Sequence, residues 1–205
     1  MLDILHLPPA ELFPLITAIA FAAGLNLYAT VAVLGFLARF GHLPLPPGLQ
    51  LLSAWPIIAA SAALFVIEFF ADKIPAFDLI WNALHTFIRV PVAGLLAFEA
   101  TAQLPPEKQL LATLLGAAVA FVAHGGKMAA RTAVTPSPEP LSNMTLSLGE
   151  DVLAIGLTWL ATRHPYAAGT VALVFIIIIL LMARLVIRAL KSLFRGAEQQ
   201  LPGYP

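Results

Sequence analysis

Residues 168–190 read AGTVALVFIIIILLMARLVIRAL, and no charged side chain occurs between Ala168 and Ala183. A helix rises about 1.5 Å per residue and a bilayer core is about 30 Å thick, so roughly 20 mostly apolar residues make a span. The stretch reads as a transmembrane helix. Its surroundings agree: 60% of the 205 residues are apolar and 11% charged, at a mean hydropathy of +0.91, where a soluble domain carries about a quarter charged residues. A soluble globular protein is excluded. Outward from this segment, five more stretches are long and apolar enough, at about 12–38, 54–72, 78–102, 109–134 and 147–163. In chain order, with 168–190 last, these are segments A to F.

Prolines mark the cuts. Pro44, Pro46 and Pro47 lie between A and B, Pro75 between B and C, Pro105 and Pro106 between C and D. Pro136, Pro138 and Pro140 follow D, and Pro165 divides E from F. Segment A exceeds a straight span and contains Gly24 and Gly35, so it either tilts or is interrupted near Gly24. The expected fold is an all-α polytopic membrane helix bundle, one integral-membrane domain over residues 1–205. It divides into a first three-helix half (12–102), a second (109–190) and a basic, polar tail (191–205).

Eleven Lys and Arg balance eleven Asp and Glu, which leaves no basic field for nucleic acid. With no cysteine there is no thiolate nucleophile, disulfide or Cys-based metal site. The N-terminal stretch carries Asp3 but neither Lys nor Arg before the first apolar run, so it reads as retained rather than as a cleaved signal peptide. With six spans, Lys73, Lys127, Arg131, Arg184, Arg188, Lys191 and Arg195 share one side, against Arg39, Lys108 and Arg163 on the other. Both termini are therefore expected in the cytoplasm.

The chain also matches itself. GLNLYATVAV (24–33) lies over GGKMAARTAV (125–134) with four identities, and FFADKIP (69–75) over WLATRHP (159–165) with Ala and Pro identical. Both matches pair A with D and B with E. An odd number of spans separates the equivalents, so the expected arrangement is a 3+3 inverted repeat, a common transporter architecture.

Charged side chains inside hydrocarbon cost several kcal/mol each unless paired or hydrated, which makes intramembrane ionisable residues candidates for function. Segment C carries Asp78, Asn82, His85 and Arg89 at spacings of 4, 3 and 4, a single polar stripe on a helix. Segment D carries His124, Lys127 and Arg131, segment B ends in Glu68 and Asp72, and segment E supplies Asp151 and Thr158. Asn26 and Thr30 occupy the places in A that Lys127 and Arg131 hold in D. The expected site is a polar vestibule open to the cytoplasm, with Glu68 and Asp72 paired to Lys127 and Arg131 and with Glu150 and Asp151 entering from the same side, narrowing outward to Asn26, Thr30, Thr158 and Thr162. Of the stripe, His85 alone titrates near physiological pH and stands as a candidate gate. Structural alternatives weigh against several of these: a closed ion-pair clasp for the charges, a Ser147–Glu150 capping box opening segment E, and interface anchors for Trp55, Trp81 and Trp159.

No H-E-x-x-H, G-x-S-x-G, P-loop or G-x-G-x-x-G occurs, so no enzymatic activity is expected. Lys127 and Arg131 would compete with a divalent cation for Glu68 and Asp72; no metal and no cofactor is expected. GLNLYATVAVLGFLARFG (24–41), EFFADKIPAFDLIWNALHTFIR (68–89) and HGGKMAARTAVTPSPEPLSNMTLSLGED (124–151) together resemble a family of bacterial multi-pass membrane proteins catalogued as domain of unknown function 4126. The resemblance implies a bacterial inner-membrane location and names no substrate. The expected function is a small transporter or channel for a small polar or charged solute, and the alternative is a non-transporting scaffold or partner subunit. The expected partners are the lipid bilayer and that solute, with a second copy of the chain as a further candidate.

Overall fold

A computed structural model describes residues 9–41, 45–134 and 140–198, which form seven α-helices and one 3₁₀ turn. Helix α1 spans Pro9–Leu25, α2 Leu27–Phe40, α3 Trp55–Ala71, α4 Pro75–Ala100, α5 Pro106–Val134, α6 Pro140–Arg163 and α7 Pro165–Glu198, with the 3₁₀ turn at Pro47–Ser53. The prolines that divide the segments open the helices: Pro75, Pro106, Pro140 and Pro165 are each a first helical residue. A proline there loses no helical hydrogen bond and has its φ already set.

Four helices are long and apolar enough to cross a membrane, α4, α5, α6 and α7, and the 3₁₀ turn with α3 makes a fifth when their 68° bend is taken as a broken span. Segment A is interrupted. The break falls at Asn26, two residues after Gly24, and leaves apolar helices of 17 and 14 residues. Asn26 takes an extended conformation (φ −147°, ψ 101°) and its side chain accepts from the Ala29 N–H at 2.9 Å, capping α2. Gly24 serves packing instead. A Cβ there would lie 2.6 Å from the Ala120 carbonyl oxygen, so its bare backbone lets α1 approach α5 closely.

Helix α1 is the centre of the bundle, packed against α4, α5, α6 and α7 and buried at Leu12, Leu15, Phe21, Ala22 and Ala23. A helix apolar on every side is stable only when surrounded. Around it the usual soluble distribution is reversed. On α4, Asn82 and Arg89 have no exposure while Phe87 is 81% exposed, and Ile80 and Leu84 also face outward. Polar side chains inside and apolar ones outside suit lipid, not water.

The paired segments behave alike at one match and differently at the other. Residues 69–75 and 159–165 each hold a helix end followed by the proline that begins the next helix. Residues 24–33 straddle the Asn26 break, whereas 125–134 lie in the unbroken α5. Segment E begins earlier than hydropathy suggests, at Pro140, which puts Ser147 and Glu150 two turns inside α6. The capping box is overturned.

A buried ion-pair network at a broken helix

The end of α3, the stripe of α4, the second half of α5, the first half of α6 and the α1–α2 break converge on one interior cluster. Glu68, Asp72, Asn82, Arg89 and Arg131 have no exposure, and His85, His124, Lys127 and Asp151 are also buried. Their helices are otherwise apolar, so the shared face must turn to the middle of the bundle.

Glu68 receives a hydrogen bond from Arg89 Nη2 through Oε1, and that same oxygen lies 3.7 Å from Lys127 Nζ. Lys127 Nζ donates to Asp72 Oδ2 at 3.0 Å and sits 3.4 Å from Glu150 Oε2. Arg131 Nη2 donates to Asp72 Oδ2 at 3.0 Å and to Glu150 Oε2 at 2.5 Å, its Nε to Glu150 Oε1 at 3.3 Å, and its Nη1 to the Asp72 carbonyl at 3.1 Å. The expected pairing of Glu68 and Asp72 with Lys127 and Arg131 is therefore present, extended by Arg89 and by Glu150. A guanidinium suits Asp72 and Glu150 because its fixed fork reaches two carboxylates at once.

The helix break joins the cluster through backbone and side chain alike. Lys127 Nζ donates to the Leu25 carbonyl at 3.2 Å, a group at the end of α1. Asn26 Nδ2 donates to Asp151 Oδ1 at 2.8 Å. At the other end, Arg89 Nη1 donates to Asn82 Oδ1 at 3.0 Å and to His124 Nδ1 at 3.1 Å. Because guanidinium can only donate, Nδ1 of His124 is the acceptor and Nε2 carries the proton, given to the Asn82 carbonyl and to Thr86 Oγ1. His85 donates from Nδ1 to the Trp81 carbonyl at 2.7 Å, which leaves Nε2 facing the Tyr28 hydroxyl at 2.9 Å. The Trp81 ring stacks on His85 with centroids 4.2 Å apart. Trp81 is partly buried between the His85 and Phe77 rings, whereas Trp55 and Trp159 are about half exposed.

Thr30 and Thr158 are fully buried, but their hydroxyls donate back to the Asn26 and Ala154 carbonyls. The side chain of Asp78 lies outside the described ones. Glu150, read in the sequence as a vestibule residue or more readily as a helix cap, is a full partner of the network. With Asn143, Ser147 and Asp151 it forms an inward stripe on α6 at spacings of 4, 3 and 1, the same signal that marked α4. Asn143 Nδ2 donates to the Asp72 carbonyl at 3.2 Å. Unpartnered oxygens remain on Glu68 (Oε2), Asp72 (Oδ1), Asn143 (Oδ1), Ser147 (Oγ) and Asp151 (Oδ2). Among the described residues no group of three or more His, Asp or Glu is arranged to hold a metal ion. An open groove of about 610 Å³ runs along α6 past Leu141, Thr145 and Gly149 to Glu150, the most exposed carboxylate of the network.

Apolar helices around buried, mutually paired charges define a multi-pass α-helical membrane protein. The chain belongs to the family described as domain of unknown function DUF4126, whose model matches residues 14–185. No curated protein and no solved structure matches it.

Proposed function

We propose that the protein is a small transporter or channel of the bacterial inner membrane, passing a small polar or charged solute through a polar vestibule open to the cytoplasm. It is not an enzyme in this reading. Both termini lie in the cytoplasm, and the halves 12–102 and 109–190 insert in opposite senses, six spans in all when α1 and α2 count as one broken span. The observation that carries the reading is the break at Asn26, set inside the charge cluster. A clasp needs only paired side chains, and an intact helix would supply them. A break adds backbone groups such as the Leu25 carbonyl to the interior, and non-helical backbone at membrane depth is tolerated where it is buried in protein or lines a cavity.

The scaffold reading has its own support. Each of Arg89, Lys127 and Arg131 is held by more than one acceptor, and the Thr30 and Thr158 hydroxyls are turned onto their own helices. The absence of native cysteine separates the two readings cleanly. Single-cysteine variants Thr30→Cys, Asn82→Cys and Thr158→Cys are treated with a membrane-impermeant thiol reagent from either face, with Ile178→Cys on the outward surface of α7 as control. Transport predicts that Asn82→Cys is labelled from the cytoplasmic face and that at least one threonine position is labelled from some face. If all three stay as unreactive as Ile178→Cys, the clasp is the better account.

A further inference from the structure

The described cluster brings four carboxylates, Glu68, Asp72, Glu150 and Asp151, together with three basic side chains, Arg89, Lys127 and Arg131. Three carboxylates are shared out among the cations: Glu68 to Arg89 and Lys127, Asp72 to Lys127 and Arg131, Glu150 to Arg131 and Lys127. Asp151 is 3% exposed and forms no ion pair among the described side chains. Its Oδ1 accepts from the neutral amide of Asn26, and its Oδ2 has no partner. An ionised carboxylate buried without a cation is so unfavourable that the group takes up a proton instead.

The neighbourhood on every side of Asp151 bears on this. Lys127 on α5 attracts its charge, while Asp72 and Glu68 on α3 repel it. Lys73, in the turn after α3, is within electrostatic reach, but its ammonium donates to the Phe69 carbonyl and lies over the Phe69 ring. Glu150 on the same helix is engaged by Arg131. From α2, Tyr28 is bonded to His85 and Arg39 to the Ser53 carbonyl. From α4 and α5, His85 and His124 belong to the Arg89 end of the cluster. Helix α1 brings only Glu11, at its far end, and the stretch of α7 from Ala168 to Ala183 is uncharged.

We propose that Asp151 is a proton-binding site, holding one exchangeable proton on Oδ2, with Asn26 at the helix break setting its affinity through the hydrogen bond to Oδ1. The same amide whose Nδ2 serves Asp151 caps α2 through its oxygen. Losing the proton strengthens the Asn26 bond, since a charged acceptor binds a donor more tightly than a neutral one. Proton occupancy and the geometry of the break are thereby linked through one side chain. That this proton is the coupling ion rests on the transport reading; its presence does not.

The test is infrared titration of the purified full-length chain, following the carbonyl stretch of a protonated carboxylic acid. The wild type is expected to show this band at mildly acidic pH, to shift it in D₂O, and to lose it as the pH is raised. Carboxyl-¹³C aspartate should move the band without any substitution, which separates the aspartates from Glu68 and Glu150, and Asp72→Asn should leave the band in place. Asp151→Asn should abolish it. Asn26→Asp keeps an oxygen to cap α2 but exchanges a donor for a second acid, so loss of the band should move to higher pH. Absence of the band at mildly acidic pH, its survival in Asp151→Asn, or indifference to labelled aspartate would each overturn the proposal. The readout needs no flux, so a band from a protein inert to thiol labelling sinks transport and leaves the proton site standing.

Discussion

Arg131 shows how a single side chain can be indispensable inside a membrane. From α5 its guanidinium serves the carboxylates of Asp72 and Glu150 and also donates to the Asp72 carbonyl. Removing it leaves the carboxylates of Asp72 and Glu150 with only Lys127 of their described cation partners. Breaking a buried pair in this way costs about 3–5 kcal/mol. Arg131→Met is expected to lose stability on that order in a reversible detergent-unfolding titration, and Arg131→Lys to recover part of it. The recovery is partial because an ammonium is a point charge and cannot span two carboxylates as the fork does. Equal stability of Arg131→Met and wild type would mean that the charges are solvated rather than paired.

At the scale of elements, two glycines aligned when the sequence is matched to itself behave oppositely. Gly24 meets the Ala120 carbonyl and the Ala123 side chain, and a Cβ would sit 2.6 and 2.7 Å from them. Gly125 has nothing within 4 Å of such a Cβ. Gly24→Ala should therefore push α1 from α5 and lower the melting temperature. Gly125→Ala should be neutral or stabilising, by up to about 1 kcal/mol from helix propensity. A stable Gly24→Ala variant would show that the close approach is not needed.

The same scale explains what could be read in advance. The stripe on α4 and the meeting of Glu68 and Asp72 with Lys127 and Arg131 were legible because helical periodicity fixes the face and length in a bilayer fixes the depth. The partnership of Glu150 was not, because residues 141–146, LSNMTL, are too mild in hydropathy to announce a helix. Starting the helix at Ser147 made Glu150 look like a first-turn cap. The break near Gly24 was legible as one of two outcomes. Its placement at Asn26 follows from capping: an asparagine side chain can accept from a free N–H in the first turn of a new helix, here that of Ala29, and a glycine cannot. The role of Gly24 in helix approach depends on α5, distant in sequence.

Across the whole molecule, the cluster joins α3, α4, α5, α6 and the α1–α2 break, while the stretch of α7 from Ala168 to Ala183 offers lipid an almost wholly apolar face. Transport and scaffolding both require that these charges be energetically coupled, not merely close. The most direct measurement is a double-mutant cycle on Glu68 and Arg89, reading unfolding free energy of Glu68→Gln, Arg89→Met and the pair together. Each single change strands a buried partner, while the double removes both, so the double should be far less destabilised than the two singles combined. Groups in one network couple by up to about 3 kcal/mol, and a value on the order of 2 kcal/mol is expected here. Additivity within about 0.5 kcal/mol, the behaviour of independent sites, would contradict the account.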